Sequence, residues 1–85
     1  MNGVSVDYLK RMLDAHPEGV VLYIHNSDRS KQHAVYLTDY ANGLCCADPG
    51  KNAGTRMTLQ NSLLGDYFGG VSDILSKTVQ IWYIK

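Results

Sequence analysis

The sequence predicts an α+β fold in which an N-terminal helix packs on a small, mainly antiparallel sheet of about four strands. Apolar residues recur at helical spacing near the N-terminus, and several β-rich runs separated by turn residues follow them. We expect a central hairpin and one or two short helical turns to complete the fold. The 85 residues make one small domain, 1–85, which buries roughly 60 to 65% of the surface that its unfolded chain exposes.

The predicted helix follows Ser5, a residue type that caps helix N-termini. Apolar residues lie three and four positions apart between Tyr8 and Leu13, and charged residues occupy the positions between them. Pro17 and Gly19 are typical of the end of a helix. The run Val20 to His25 has no polar residue before its end, which predicts an interior strand covered on both faces and central in the sheet.

Two strands are predicted to form the hairpin, His33 to Thr38 and Leu44 to Ala47, after an exposed polar loop. Beyond them, residues 50–56 have the composition of a connecting loop. Thr58 is a candidate N-cap for a short helical turn that Gly65 would stop, and Val71 to Leu75 is a second candidate turn. The last strand is predicted over Thr78 to Ile84, with alternate side chains on opposite faces.

Charge and composition exclude several functions. Eight basic and eight acidic side chains cancel and form no run of like charge, so we expect no nucleic-acid partner. Charged residues interrupt the first twenty positions, which excludes a signal peptide or membrane span there, and the compartment stays unknown. His16 and His25 have no partner at metal-ligand spacing, so we expect no metal and no cofactor.

The two cysteines, Cys45 and Cys46, are adjacent in a predicted strand. Neighbours along a strand point to opposite faces, so the two thiols are poorly placed to bridge each other. We expect both to be reduced and partly buried. A catalytic role for either would need an activating field such as a helix N-terminus provides.

His33 and Asp48 are the candidate site residues, 15 positions apart on the hairpin. A carboxylate that orients an imidazole makes two thirds of a nucleophilic triad. A two-residue turn at Asn42-Gly43 would hold His33 about 13 Å along the strand from the carboxyl group. A four-residue loop, Tyr40 to Gly43, places Val35 opposite Asp48 and His33 one diagonal step away, about 7 to 8 Å between Cα atoms. A functional pair therefore predicts the longer loop or a bulge.

The order of helix, VVLYI strand, HAVYLTDY strand, LCCA strand with Asp48-Pro49, and closing WYI strand resembles the carboxy-terminal half of papain-like cysteine peptidases. It looks most like the bacterial branch that includes the double-glycine leader peptidases of bacteriocin exporters. The resemblance implies that His33 is the general base and that Asp48 orients it. It also implies supporting roles for Val35, Tyr40 and Pro49.

The resemblance implies a nucleophilic cysteine on a helix of a preceding half, but residues 1–16 contain no cysteine. We therefore expect an incomplete cysteine peptidase-like hydrolase that is inactive alone and needs a missing N-terminal half to act on a peptide substrate. The alternative is a small non-catalytic binding or assembly module, for example a homodimer formed through an edge strand. A thiol-dependent hydrolase that uses Cys45 or Cys46 is a third hypothesis.

Overall fold

An antiparallel sheet of five strands, in the order β4-β3-β2-β1-β5, organises the fold of this computed structural model, which describes residues 2–41, 43–52 and 54–83. The strands are β1 (Val20–His25), β2 (Gln32–Asp39), β3 (Cys45–Ala47), β4 (Arg56–Thr58) and β5 (Thr78–Trp82). The helices are α1 (Val6–Ala15), α2 (Leu63–Phe68) and α3 (Val71–Leu75), with a 3₁₀ turn at Leu59–Asn61. The predicted α+β fold with its N-terminal helix is confirmed.

Helix α1 begins and ends where the sequence predicts. The Ser5 hydroxyl accepts a hydrogen bond from the Tyr8 N–H at 3.0 Å, which satisfies one of the free donors at the helix start. Leu9 and Leu13 are its buried residues. The chain then turns into β1 through Gly19, whose φ of +98° suits glycine alone among common residues.

The sheet buries one face against the three helices. The side chains of Val20, Leu22 and Ile24 on β1 point to this face and are fully buried. They pack in one core with leucine and isoleucine side chains of the helices. Val21 and Tyr23 point to the opposite face and are only half-buried. Strand β1 has a neighbour on each side, but it is not covered on both faces as predicted, and β2 rather than β1 lies at the centre of the sheet.

Strand β4 is absent from the sequence prediction, which placed Arg56 at the end of a connecting loop and Thr58 at the start of a helical turn. With Met57 as its one apolar residue packed against the core, the three-residue strand is too short for an alternating pattern to be recognised. Pairing with β3, Met57 opposite Cys46, supplies the strand character that local sequence does not.

Helix α2 contradicts the prediction that Gly65 stops a helical turn. Ser62 caps this helix by accepting a hydrogen bond from the Leu64 N–H, and the helix runs through Gly65 to Phe68. A Cβ atom at Gly65 would lie 1.6 Å from the Gln60 carbonyl oxygen. The glycine is needed for this close backbone approach, and Gly69, with a φ of +97°, ends the helix instead.

A β-bulge lies between Leu37 and Asp39 in the hairpin, because Leu37 pairs with Cys46 whereas Asp39 pairs with Cys45. The predicted turn residue Asn42 lies outside the described residues. Strand β5 ends at Trp82, earlier than predicted, and Ile84 also lies outside the described residues.

Candidate functional site

The hairpin register brings His33 and Asp48 to one face of the sheet. Tyr36 pairs with Ala47, so if the ladder continues Val35 lies opposite Asp48. His33 precedes Val35 by two residues in β2 and therefore lies on the same face. This is the diagonal arrangement that the longer loop or a bulge predicts, and the bulge is present. His33 lies on the core face at the start of the strand, next to the end of β3.

The two side chains form a direct hydrogen bond. His33 Nε2 lies 2.6 Å from Asp48 Oδ1, a short hydrogen bond of the kind that a charged acceptor favours. The histidine side chain is 18% exposed, whereas that of Asp48 is fully buried. The structure therefore places a buried carboxylate behind an imidazole that reaches the surface.

Asp48 accepts two further hydrogen bonds, both from backbone N–H groups. Gly50 N–H donates to Oδ1 and Leu63 N–H donates to Oδ2, each at 2.8 Å. Burial opposes ionisation of the carboxyl group, but the bonds from Leu63, His33 and Gly50 outweigh it and hold the pKa of Asp48 below its usual value. The carboxylate is thus fixed in position and in its charged form.

The His33 ring is held by its neighbours as well as by Asp48. The Tyr67 ring meets it edge-on, with 6.1 Å between ring centroids. A Cβ atom at Gly50 would lie 3.0 Å from His33 Cε1 and 2.8 Å from Leu63 Cδ1, so a larger residue there would push the ring away. No described residue hydrogen-bonds to His33 Nδ1, which leaves this nitrogen for an incoming group.

Such a pair has a defined chemical capability. With Nε2 held by the carboxylate, the second ring nitrogen can take a proton from a nucleophile or return it to a leaving group. The carboxylate selects the tautomer and stabilises the imidazolium that forms. The pair can therefore act as a general base for a nucleophile placed next to the His33 ring.

Both cysteine thiols are buried, whereas a nucleophile has to be accessible to its substrate. Burial, and then the charge of Asp48, raise the pKa of the Cys46 thiol to about 11. Catalytic thiols need the opposite shift. Cys45 is 2% exposed and its Sγ lies 3.5 Å from the Gly43 carbonyl oxygen, on the hairpin.

Other residues singled out by the sequence lie outside this pair. Tyr40 donates a hydrogen bond to Asp14, 2.6 Å away, and so ties the hairpin to α1. His25 is buried, with Nδ1 2.7 Å from the Asn26 carbonyl oxygen, and His16 stacks on Tyr83. Among the described residues, no group of three His, Cys, Asp or Glu side chains could hold a metal ion.

Leu63, Gly50 and Tyr67 complete the surroundings of the pair and were missed by sequence reasoning. Ser62 was the available signal, because serine is a preferred N-cap and marks the residue whose N–H faces Asp48. Thr58 was chosen as the cap instead, and its side chain makes no capping hydrogen bond.

Comparisons with family models, curated proteins and solved structures found no match to this chain. Within the described residues, no helix has the length and apolar character to cross a membrane.

Proposed function

We propose that this chain carries the general base and the orienting acid of a papain-like cysteine peptidase-like site. The observation that supports it is the 2.6 Å bond between the part-exposed His33 and the fully buried Asp48. In this proposal His33 takes the proton from a thiol, and the thiolate attacks a peptide carbonyl group. Asp48 keeps the imidazole in the required tautomer.

The thiol has to come from outside these 85 residues, since both cysteines of the chain are buried. The chain alone is then inactive, and a segment or second protein that presents a cysteine at a helix N-terminus completes the site. This arrangement would lower the pKa of the incoming thiol, which the field around Cys46 does not do.

The test uses a thiol-directed peptide probe. The coding sequence upstream of Met1 is searched for a cysteine that heads an amphipathic helix, and the product that contains it is treated with the probe. We expect labelling of that cysteine, loss of labelling in His33→Ala and unchanged labelling in the matched control His16→Ala. Labelling of Cys45 or Cys46 in the chain alone, or labelling indifferent to His33→Ala, would contradict the proposal.

A second candidate is a non-catalytic binding or assembly module. It is favoured by the bonds from Gly50 and Leu63 to Asp48, which link the end of β3 to α2 whether or not chemistry occurs. Strand β5 lies at the edge of the sheet, where Asn2 pairs with its first residue, Thr78, and a second copy could pair with the part of this edge near Trp82. A dimer in sedimentation experiments that persists in His33→Ala, without probe labelling of any product, would favour this candidate.

A further inference from the structure

The face of the sheet away from the helices carries an aromatic groove, formed by Gly19, Val21, Tyr36, Trp82 and Tyr83. Val21 pairs with Tyr36 on one side and with Trp82 on the other, so a small side chain lies between two large rings. The groove has a volume of about 270 Å³. That is near the lower end of the range for small-molecule sites. We propose that it binds the trimethylammonium group of a small molecule.

The width of the groove fits one compact group. Tyr36 and Trp82 lie two strands apart, which separates their backbones by about 10 Å. A compact group seated over Val21 would lie between these two side chains, and an aromatic ring attracts a cation that lies within roughly 6 Å of its centroid. An α-helix, about 10 to 12 Å across with its side chains, is too wide to enter.

Each wall ring is already held in place by a second contact. The Tyr36 hydroxyl donates a hydrogen bond to the Glu18 carbonyl oxygen. Trp82 stacks on Tyr23, with an interplanar angle of 11°, and Tyr83 stacks on a histidine, with 4.0 Å between centroids. A ligand therefore does not have to order these side chains, which lowers the entropic cost of binding.

Charge favours a cation with an apolar surface. Among the described residues that line the groove, none has a charged side chain, and the face of an aromatic ring attracts a cation and disfavours an anion. A methylated ammonium group is the ligand class that aromatic cages recognise.

Trp82 is the only tryptophan of the chain, so its fluorescence reports directly on the groove. Choline chloride is titrated at mildly alkaline pH, beside 3,3-dimethylbutan-1-ol, a neutral molecule of the same shape. We expect choline to bind about 10-fold more tightly than the alcohol, because the shape is shared and only the cation interacts with the ring quadrupoles. Tyr36→Leu should weaken choline binding several-fold, whereas Tyr40→Leu, a matched control with 37% exposure against 38%, should leave it unchanged.

A second variant covers the case in which Tyr36→Leu does not fold. Trp82 is 52% exposed, so Trp82→Leu should fold, and broadening of the choline methyl signal in NMR replaces fluorescence. Equal affinity for choline and the alcohol, or choline broadening unchanged in Trp82→Leu, overturns the proposal. So does a trimethyl-lysine peptide that binds 10-fold more tightly than choline, since the ligand would then be a protein. The inference does not depend on the peptidase-like function.

Discussion

Replacing Asp48 by asparagine removes the charge of a buried group while keeping its shape. Both carboxylate oxygens face N–H donors: Oδ1 faces Gly50 and His33, and Oδ2 faces Leu63. An amide has one acceptor oxygen and one NH₂ group, so one N–H donor must meet another donor. The least costly orientation keeps Oδ1 as oxygen and turns the NH₂ group toward the Leu63 N–H.

The cost follows from these contacts. A hydrogen bond to a charged group contributes about 1.5 to 3 kcal/mol, and an unsatisfied buried donor adds a similar penalty, so we expect a loss of at least about 3 kcal/mol. The total stability of a chain of this length is about 4 to 13 kcal/mol. A loss of about 3 kcal/mol should lower the Tm by about 12 to 24 °C.

Urea denaturation followed by Trp82 fluorescence measures this change. The control is Asp66→Asn, because Asp66 is 53% exposed and its ion pair with Lys51, at 3.0 Å, is a surface contact whose removal costs at most about 1 kcal/mol. A loss below about 1 kcal/mol for Asp48→Asn, or equal losses for both variants, would refute the reasoning that the buried carboxylate is held by three donors.

Three further outcomes are expected. Stability of the native chain should fall as the pH drops below about 4, because the lowered pKa of Asp48 makes the unfolded state take up protons first; urea midpoints should show a shallower fall in Asp48→Asn, and parallel curves would count against it. Gly65→Ala should cost several kcal/mol by circular dichroism melting, since its Cβ meets backbone at 1.6 Å, whereas Gly70→Ala, with open space around it, should change stability by under about 1 kcal/mol. Thiol reagents should label Cys46 at least about 100-fold more slowly in the folded chain than in urea, and comparable rates would show that the thiol is accessible.

The sequence predicted the first helix and the first two strands because their signals are local. Ser5 has a hydroxyl that caps the helix, and the runs VVLYIH and HAVYL have side chains that favour an extended backbone. The sequence could predict that His33 and Asp48 meet in one of two possible hairpin registers, but not which register forms. The observed register contains a bulge between Leu37 and Asp39, and no residue in this stretch is typical enough of a bulge to predict it.

The remaining features depend on tertiary contacts. Strand β4 forms because β3 offers an edge, and its own sequence carries little strand preference. Gly65 was taken as a helix stop because glycine favours helix ends, but here it permits contact with Gln60 inside a helix. The donors around Asp48 could not be predicted, because they are backbone groups whose position depends on where α2 starts.

The bulge in β2 separates the part of the hairpin that aligns His33 with Asp48 from the part that lies nearer its turn. On the His33 side of it, pairing is fixed by the buried side chains Val35, Leu37 and Cys46, so the ladder there cannot slide without exposing the core. Beyond the bulge, Leu44 is buried and the Tyr40 hydroxyl bonds to Asp14, so that end of the hairpin is held by contacts of its own. Loss of the Tyr40 contact should therefore leave the imidazole and the carboxylate aligned, because the ladder that joins them is fixed separately.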